Sequence, residues 1–491
     1  METLDNRETF SSRFRGFLVI IMTSLGLGNI WRFPYLCAKY GGAAFVVAYI
    51  IALILIVSVG NQCEICMGKY SRKAVVGAFT SIGKKKIWRI CGWVLLCLNF
   101  IVMVYYNVLI SWVLRYFATS FSGSVWMAES PQAFYNSFID TPQVIMWAIL
   151  VNVIVFGVLW FGMNNGIEKV MSVMGPLLFM IMAIMVVRTL FLPGVEKGLE
   201  YYLIPDWSYL TQMETWMQAI GQGLWSGCFG WGIMIAMGSY MKKYDDVGST
   251  ITQTTLLDGG ISWFVGLAII PACVVYNVPL DSGTSLAFLV LPEMFQGMPY
   301  GHIFMILFFG ALMVSGLCAS IGCVEAIVKS LIEEWNLTRK QLIPALFVFW
   351  NIAALPSCLS KNTYDWIDST IGTYAILIGG FLIFIFVGYA WGARYVRENI
   401  LNVGADIKFG RWWDLCVKFI GPLLLIFAGY TFAVSWLLPY IPGYIAWPII
   451  LAIVGFNLFV FIEAIRNPIN VAEGNVKNPD KTNYFDYNRN Q

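Results

Sequence analysis

Two apolar stretches of this 491-residue chain are interrupted by glycine: Ser24-Leu25-Gly26-Leu27-Gly28, and a later run in which Gly221, Gly223, Gly227, Gly230 and Gly232 crowd together. A helix broken inside an apolar medium frees backbone carbonyls that can hold a cation and N–H groups that can hold a carboxylate. Glycine in a single membrane helix more often serves close packing. Packing glycines, however, have no cause to recur five helices apart, whereas paired broken helices in inverted repeats do. Two carboxylates, Glu64 and Asp258, also stand inside apolar runs. An Asp there costs roughly 2.5–3.5 kcal/mol on insertion scales and needs a partner such as a cation. Enzymatic chemistry finds no support. The chain holds one His, His302, so no nucleophile with a base and an orienting group can be assembled, and Gly26-x-Gly28 does not follow a strand as a dinucleotide loop must. The eleven Cys lie mostly in apolar runs, and none has a zinc spacing with His302.

The elements that position these residues are membrane helices. A composition 59% apolar and only 12% charged cannot cover a water-soluble globule of this length. Windows of about 20 apolar residues, each enough to cross a bilayer, fall near 15–37, 43–68, 88–116, 142–161, 167–191, 214–241, 248–276, 299–332, 341–357, 366–392, 413–437 and 443–465. Twelve spans are therefore expected. The polar N-terminus runs directly into the first span without a small-residue cleavage pattern, so that span is expected to be retained. Arg13, Arg15, Lys69, Arg72, Lys84, Lys85, Lys86, Lys242, Arg394 and Arg397 fall on the N-terminal side, while the 117–141 and 277–300 loops carry no Lys or Arg beyond the helix ends. The positive-inside bias places both termini in the cytoplasm. It also accounts for the net charge of +3, which gives no argument for nucleic-acid binding. The tail from Asn467 onward, rich in Asn, Asp and Lys, is expected to be disordered.

The run Gly26-Leu27-Gly28-Asn29-Ile30-Trp31-Arg32-Phe33-Pro34 resembles the signature of the neurotransmitter:sodium symporter family, whose bacterial members mostly carry amino acids. The similarity continues through Met67-Gly68-Lys69-Tyr70, Tyr105-Tyr106, Gly166-Ile167-Glu168-Lys169 and Asp365-Trp366-Ile367-Asp368, from about Arg7 to Arg466. The resemblance implies an all-α, LeuT-type fold with inverted five-helix repeats at 15–191 and 192–392 and two further spans within 393–466, between an N-terminal segment 1–14 and a tail 467–491. It implies substrate contacts at Ser24, Gly26, Leu27 and Gly28 in span 1, Val102 and Tyr106 in span 3, Trp225, Ser226, Cys228 and Trp231 in span 6, and Ala319 and Cys323 in span 8. Broken backbone and a Tyr hydroxyl suit a zwitterion. The family's monoamine carriers place an Asp where Gly26 stands, so the resemblance favours an amino acid over an amine.

The same resemblance assigns a first sodium site to Ser24, Asn29 and Ser226, with Asp258 as its acidic member. The fixed charge of Asp258 would remove the chloride requirement of animal relatives. A second sodium site would draw on Met22, Leu25 and Ser315, but the two span 8 hydroxyls usual in the family are replaced by Cys318 and Ala319. A thiol is a poor sodium ligand and a methyl group is none, so this site is expected to be weak or absent. Arg32 and Asp368 match an outer gate pair, Arg7 and Glu333 an inner pair with Tyr240 beside it, and Glu64 a buried carboxylate expected to hold backbone N–H groups of spans 1 and 6 across the breaks. The implied function is sodium-coupled import of a neutral, hydrophobic or aromatic amino acid across a bacterial inner membrane, by a monomer or homodimer in contact with lipid. A proton-coupled or sodium-independent amino acid transporter of the same fold is the alternative that loss of the span 8 hydroxyls favours.

Overall fold

The computed structural model describes residues 8–123, 130–242, 244–278, 286–434 and 443–469, and these are helical with no strand. Nine helices among them are long and apolar enough to cross a membrane: Ala43–Ser71, Lys86–Ser122, Gln143–Trp160, Met163–Leu190, Val247–Val275, Gly301–Trp335, Arg339–Leu359, Lys361–Leu401 and Arg411–Thr431. Span 1 is a bent pair, Arg13–Ser24 and Gly28–Lys39, whose halves diverge by 58°. Span 6 is a second broken pair, Met213–Ser226 and Ile233–Tyr240, and Gly443–Arg466 forms span 12. With the nine taken in order as spans 2–5 and 7–11, the expected twelve are present.

Span 10 departs furthest from its expected window. It runs from Lys361 to Leu401 instead of 366–392, because charged residues past the apolar stretch stabilise the extra turns. Arg394 pairs with Glu398 at 3.0 Å and Arg397 with Asp414 at 2.9 Å, i to i+4 and across a loop. Short helices at Val75–Gly83 and Val195–Leu203 cap the connections after spans 2 and 5 and were not anticipated.

Close approach concentrates where the broken spans meet their neighbours. A Cβ on Gly68 of span 2 would lie 1.9 Å from the Ile235 carbonyl oxygen, and one on Gly238 of span 6 would lie 2.5 Å from that of Ile65, so these two backbones touch. The span 6 glycines then divide by role. Gly223 and Gly227 accommodate Val57 of span 2, whereas Gly230 (φ +94°) within the break and Gly232 (φ +74°), the N-cap of the second half-helix, adopt left-handed conformations. Spans 4, 5, 9 and 12 turn exposed side chains such as Val153, Val173, Ile352 and Leu451 outward, the belt a lipid-facing surface requires. Cys63 and Cys66 in span 2 form a C-x-x-C pair, and both are buried free thiols.

Candidate functional site

The N-terminal half of span 1 ends at Ser24 and is capped by Leu25, whose N–H reaches back to the Ile21 carbonyl while its ψ of 87° leaves the helical region. Asn29 caps the break from the far side, its Oδ1 accepting from the Gly26 N–H at 3.1 Å. The next N–H, of Leu27, donates to the Tyr106 hydroxyl at 3.0 Å, and Gln222 of span 6 donates to the Gly28 carbonyl at 3.1 Å. Three polar groups released by the break thus meet side chains, Tyr106 and Gln222 from other helices and Asn29 from the second half of span 1, as a low-dielectric interior favours. A Cβ on Gly26 would stand 3.0 Å from the Tyr106 hydroxyl oxygen and 3.6 Å from the Ala319 Cβ. Gly26, Tyr106 and Ala319 therefore converge on one point.

The break in span 6 is held from span 2. Asn61 donates to the Gly227 carbonyl at 2.7 Å, and Glu64 accepts from the N–H groups of Gly230 at 2.8 Å and Met234 at 3.0 Å. Glu64 thus serves span 6, and no hydrogen bond among the described residues carries it to span 1. The two breaks touch directly through Cys228, whose thiol reaches the Thr23 carbonyl at 3.5 Å. Trp225 and Trp231 pack edge to face with ring centroids 5.0 Å apart. Trp231 is buried, and half-buried Trp225 carries the Arg32 guanidinium 6.0 Å over its ring. Ser24 spends its hydroxyl within its own helix on Ile20, which leaves its carbonyl as the group relevant to an ion. Val102, Ala319 and Cys323 are buried nearby on spans 3 and 8.

Next to the span 1 break lies a polar cluster. The Asn29 Nδ2 lies 2.7 Å from Ser226 Oγ, 2.8 Å from Asp258 Oδ1 and 2.9 Å from Ser262 Oγ. Ser226 also donates to Asp258, and Tyr49 lies 3.1 Å from Ser226 Oγ. All five residues are buried, and among the described residues no Lys or Arg pairs with Asp258. A carboxylate so placed is held by neutral hydrogen bonds alone. Tyr49 and Ser262 were missed in the sequence. Ser262 follows Asp258 by one helical turn, a spacing that could have flagged it; an isolated Tyr in an apolar span reads as core.

Spans 1 and 8 meet on either side of the second candidate ion site. Gly316 abuts the Leu27 side chain, and Gly322 abuts Thr23. Between them along span 8 lie Cys318 and Ala319, which are buried, as are Met22 and Leu25 of span 1. The Ser315 hydroxyl is buried there without a hydrogen-bond partner.

The two faces of the molecule differ. On the face opposite the N-terminus, Arg32 and Asp368 make no direct ion pair, and the Tyr105 hydroxyl and Asp368 Oδ1 both lie over Gly372. On the N-terminal face, side-chain contacts tie spans 6, 8 and 9 to one another and the N-terminal segment to spans 5 and 6. Tyr240 donates to Glu325 at 2.5 Å, and Arg339 grips the same carboxylate through two bonds of 2.7 Å. Phe10 packs on the Tyr240 ring at 5.8 Å, and Ser11 donates twice to Glu168, from N at 2.8 Å and Oγ at 2.6 Å. Arg339 was not singled out in the sequence, because nothing local ties it to Glu325. Glu333 sits farther along span 8 and accepts from the Ala74 N–H at 2.9 Å. Its expected partner Arg7 lies outside the described residues.

Comparison with known proteins places this arrangement. The model of the sodium:neurotransmitter symporter family matches residues 7–138 and 126–471. An uncharacterised sodium-dependent transporter of Methanocaldococcus jannaschii is 30% identical, covering 85% of this chain and 89% of its own. The sodium-dependent dopamine transporter of Caenorhabditis elegans is 26% identical over 86% of this chain and 79% of its own. Among solved structures, MhsT in complex with L-phenylalanine superposes with a TM-score of 0.78 at 27% identity, covering 87% of this chain and all of that one. Two broken spans, a shared fold and near full-length similarity lead to one conclusion: the chain is a multi-pass membrane protein of the sodium:neurotransmitter symporter family.

Proposed function

We propose that the protein is a sodium-coupled symporter of a neutral amino acid, with Ser24, Gly26, Leu27, Gly28, Tyr106 and the span 6 break around the zwitterion and sodium bound beside Asn29, Ser226 and Asp258. The observation that carries this reading is Asp258, a buried carboxylate without a basic partner among the described residues. A hard cation with oxygen ligands supplies the missing charge. The resident carboxylate makes an accompanying chloride unnecessary. The relative solved with L-phenylalanine supports an amino acid as cargo, and Trp225, Trp231 and Val102 form an apolar wall suited to its side chain.

Arg32 and Asp368, with Trp225 as a lid, form the outer gate in this reading. The Tyr240–Glu325–Arg339 group, with the segment from Glu8 to Ser11, forms the inner one. The N-terminal face is cytoplasmic, by the distribution of Lys and Arg. Cys318 and Ala319 leave the second sodium site weak, so one sodium ion accompanies each substrate. Uptake of the twenty amino acids into proteoliposomes, with sodium, potassium and proton gradients varied, tests the proposal. Uptake driven by a proton gradient without sodium would favour the proton-coupled alternative, for which the replaced span 8 hydroxyls are the observation.

A further inference from the structure

Among the buried polar atoms that lack a hydrogen-bond partner in the protein are Nε1 of Trp231 in span 6 and Oδ1 of Asn99 in span 3. Trp231 is 1% exposed and Asn99 0%. The indole nitrogen can only donate and the amide oxygen can only accept. Asn99 lies on the face of span 3 that carries Val102 and Tyr106, at the i, i+3, i+7 spacing of one helical stripe. Its Nδ2 donates to the Cys323 carbonyl at 3.2 Å, which ties the amide to the pocket wall and leaves Oδ1 as its open valence. Trp231 is followed by a residue that meets span 3. The adjoining Gly232 abuts Leu95, one turn from Asn99, where a Cβ would meet Leu95 Cδ2 at 3.5 Å. Seven residues separate Asn99 from Tyr106, or about 10 Å along the helix axis. Tyr106 marks the zwitterion end, and Asn99 with Trp231 marks the end that a side chain would reach.

Native interiors leave few such groups unpaired. A purely apolar side chain in this pocket would keep both atoms desolvated and unbonded. We infer that the substrate is an amino acid whose uncharged side chain ends in a group that both accepts and donates hydrogen bonds, a hydroxyl or a primary amide, accepting from the Trp231 N–H and donating to Asn99 Oδ1. The apolar wall formed by Trp225 and Val102 holds the body of that side chain. This inference rests on the amino acid reading proposed above.

Competition for uptake in proteoliposomes between near-isosteric pairs tests it: tyrosine against phenylalanine, glutamine against norleucine, threonine against valine. The expected result is a preference of tenfold or more for the polar member of at least one pair, since a site built around hydrogen bonds strongly rejects the analogue that lacks them. Trp231→Phe and Asn99→Leu should each reduce that ratio to near one, with size-exclusion profiles reporting whether each variant folds. Equal or better uptake of every apolar member by the wild type overturns the inference, whatever the variants do. So does a ratio unchanged in a variant that folds. Uptake of no amino acid at all is a different failure: it removes the symporter reading, and this inference falls with it.

Discussion

Asn29 Nδ2 lies 2.8 Å from Asp258 Oδ1, joining the break in span 1 to a carboxylate in span 7, while the same side chain caps Gly26 through its other atom. One amide thus connects the break in span 1 with the buried carboxylate of span 7, the substrate and sodium ends in the proposed function. Binding at either end can be felt at the other through a single side chain, which is what coupling of ion and substrate requires.

Asp258→Asn keeps the shape of that cluster and removes its charge. Sodium-driven uptake should fall at least tenfold, and the sodium concentration for half-maximal uptake should rise. Because the lost charge is an anion's, external chloride should restore part of the activity. Uptake at several sodium and chloride concentrations reads all three effects, and wild-type behaviour in the variant would contradict the ion role.

Much of this centre was legible in the sequence, and the reason is local. Gly26, Gly28 and the span 6 glycines stand out in apolar runs, and Glu64 and Asp258 are conspicuous because charge is costly there. Tyr49, Ser262, Gln222 and Arg339 were not legible, since their importance arises from what distant helices bring against them. Tyr49 meets Ser226 at 3.1 Å across 177 residues, and Gln222 reaches Gly28 across 194. The allotment of Glu64 to both breaks failed for the same reason. Which backbone N–H groups a buried carboxylate meets depends on how spans 2 and 6 touch at Gly68 and Gly238, and no sequence pattern states that contact.

Arg339→Ala removes two charge-assisted bonds from Glu325, a fully buried side chain. Breaking a buried pair by deleting one partner costs about 3–5 kcal/mol, and here the penalty falls on the state closed at the N-terminal face. The variant should open that face, seen as faster alkylation of a cysteine introduced at Ser239. Tyr240→Phe, which loses one hydrogen bond worth about 1.5–3 kcal/mol to a charged group, should show the same change to a smaller extent. Unchanged labelling in both variants would argue against an inner gate here.

Cys318→Thr combined with Ala319→Ser supplies two hydroxyls on span 8 within a turn or so of the unpartnered Ser315. The expected outcome is a steeper dependence of uptake on sodium, with the Hill coefficient moving from about one toward about two, since each added oxygen suits a hard cation. A coefficient already near two in the wild type would remove the single-sodium reading.

Glu64→Gln retains one acceptor where two N–H groups now bond. One donor of the span 6 break is left unpaired, at a cost of about 1–3 kcal/mol. The thermal midpoint of the purified protein should fall by several degrees, and sodium with substrate should recover part of the loss, because ligands that bind only the folded state stabilise it. A midpoint equal to wild type would place the hold on the break elsewhere, on Asn61.

The most direct measurement of the central claim is amino acid uptake by the purified wild-type protein in proteoliposomes, with external sodium titrated against choline at constant pH and chloride. Uptake that is absent in choline, rises with sodium at a Hill coefficient near one and persists when chloride is replaced by gluconate is the predicted result. Equal uptake in choline and in sodium would contradict the account.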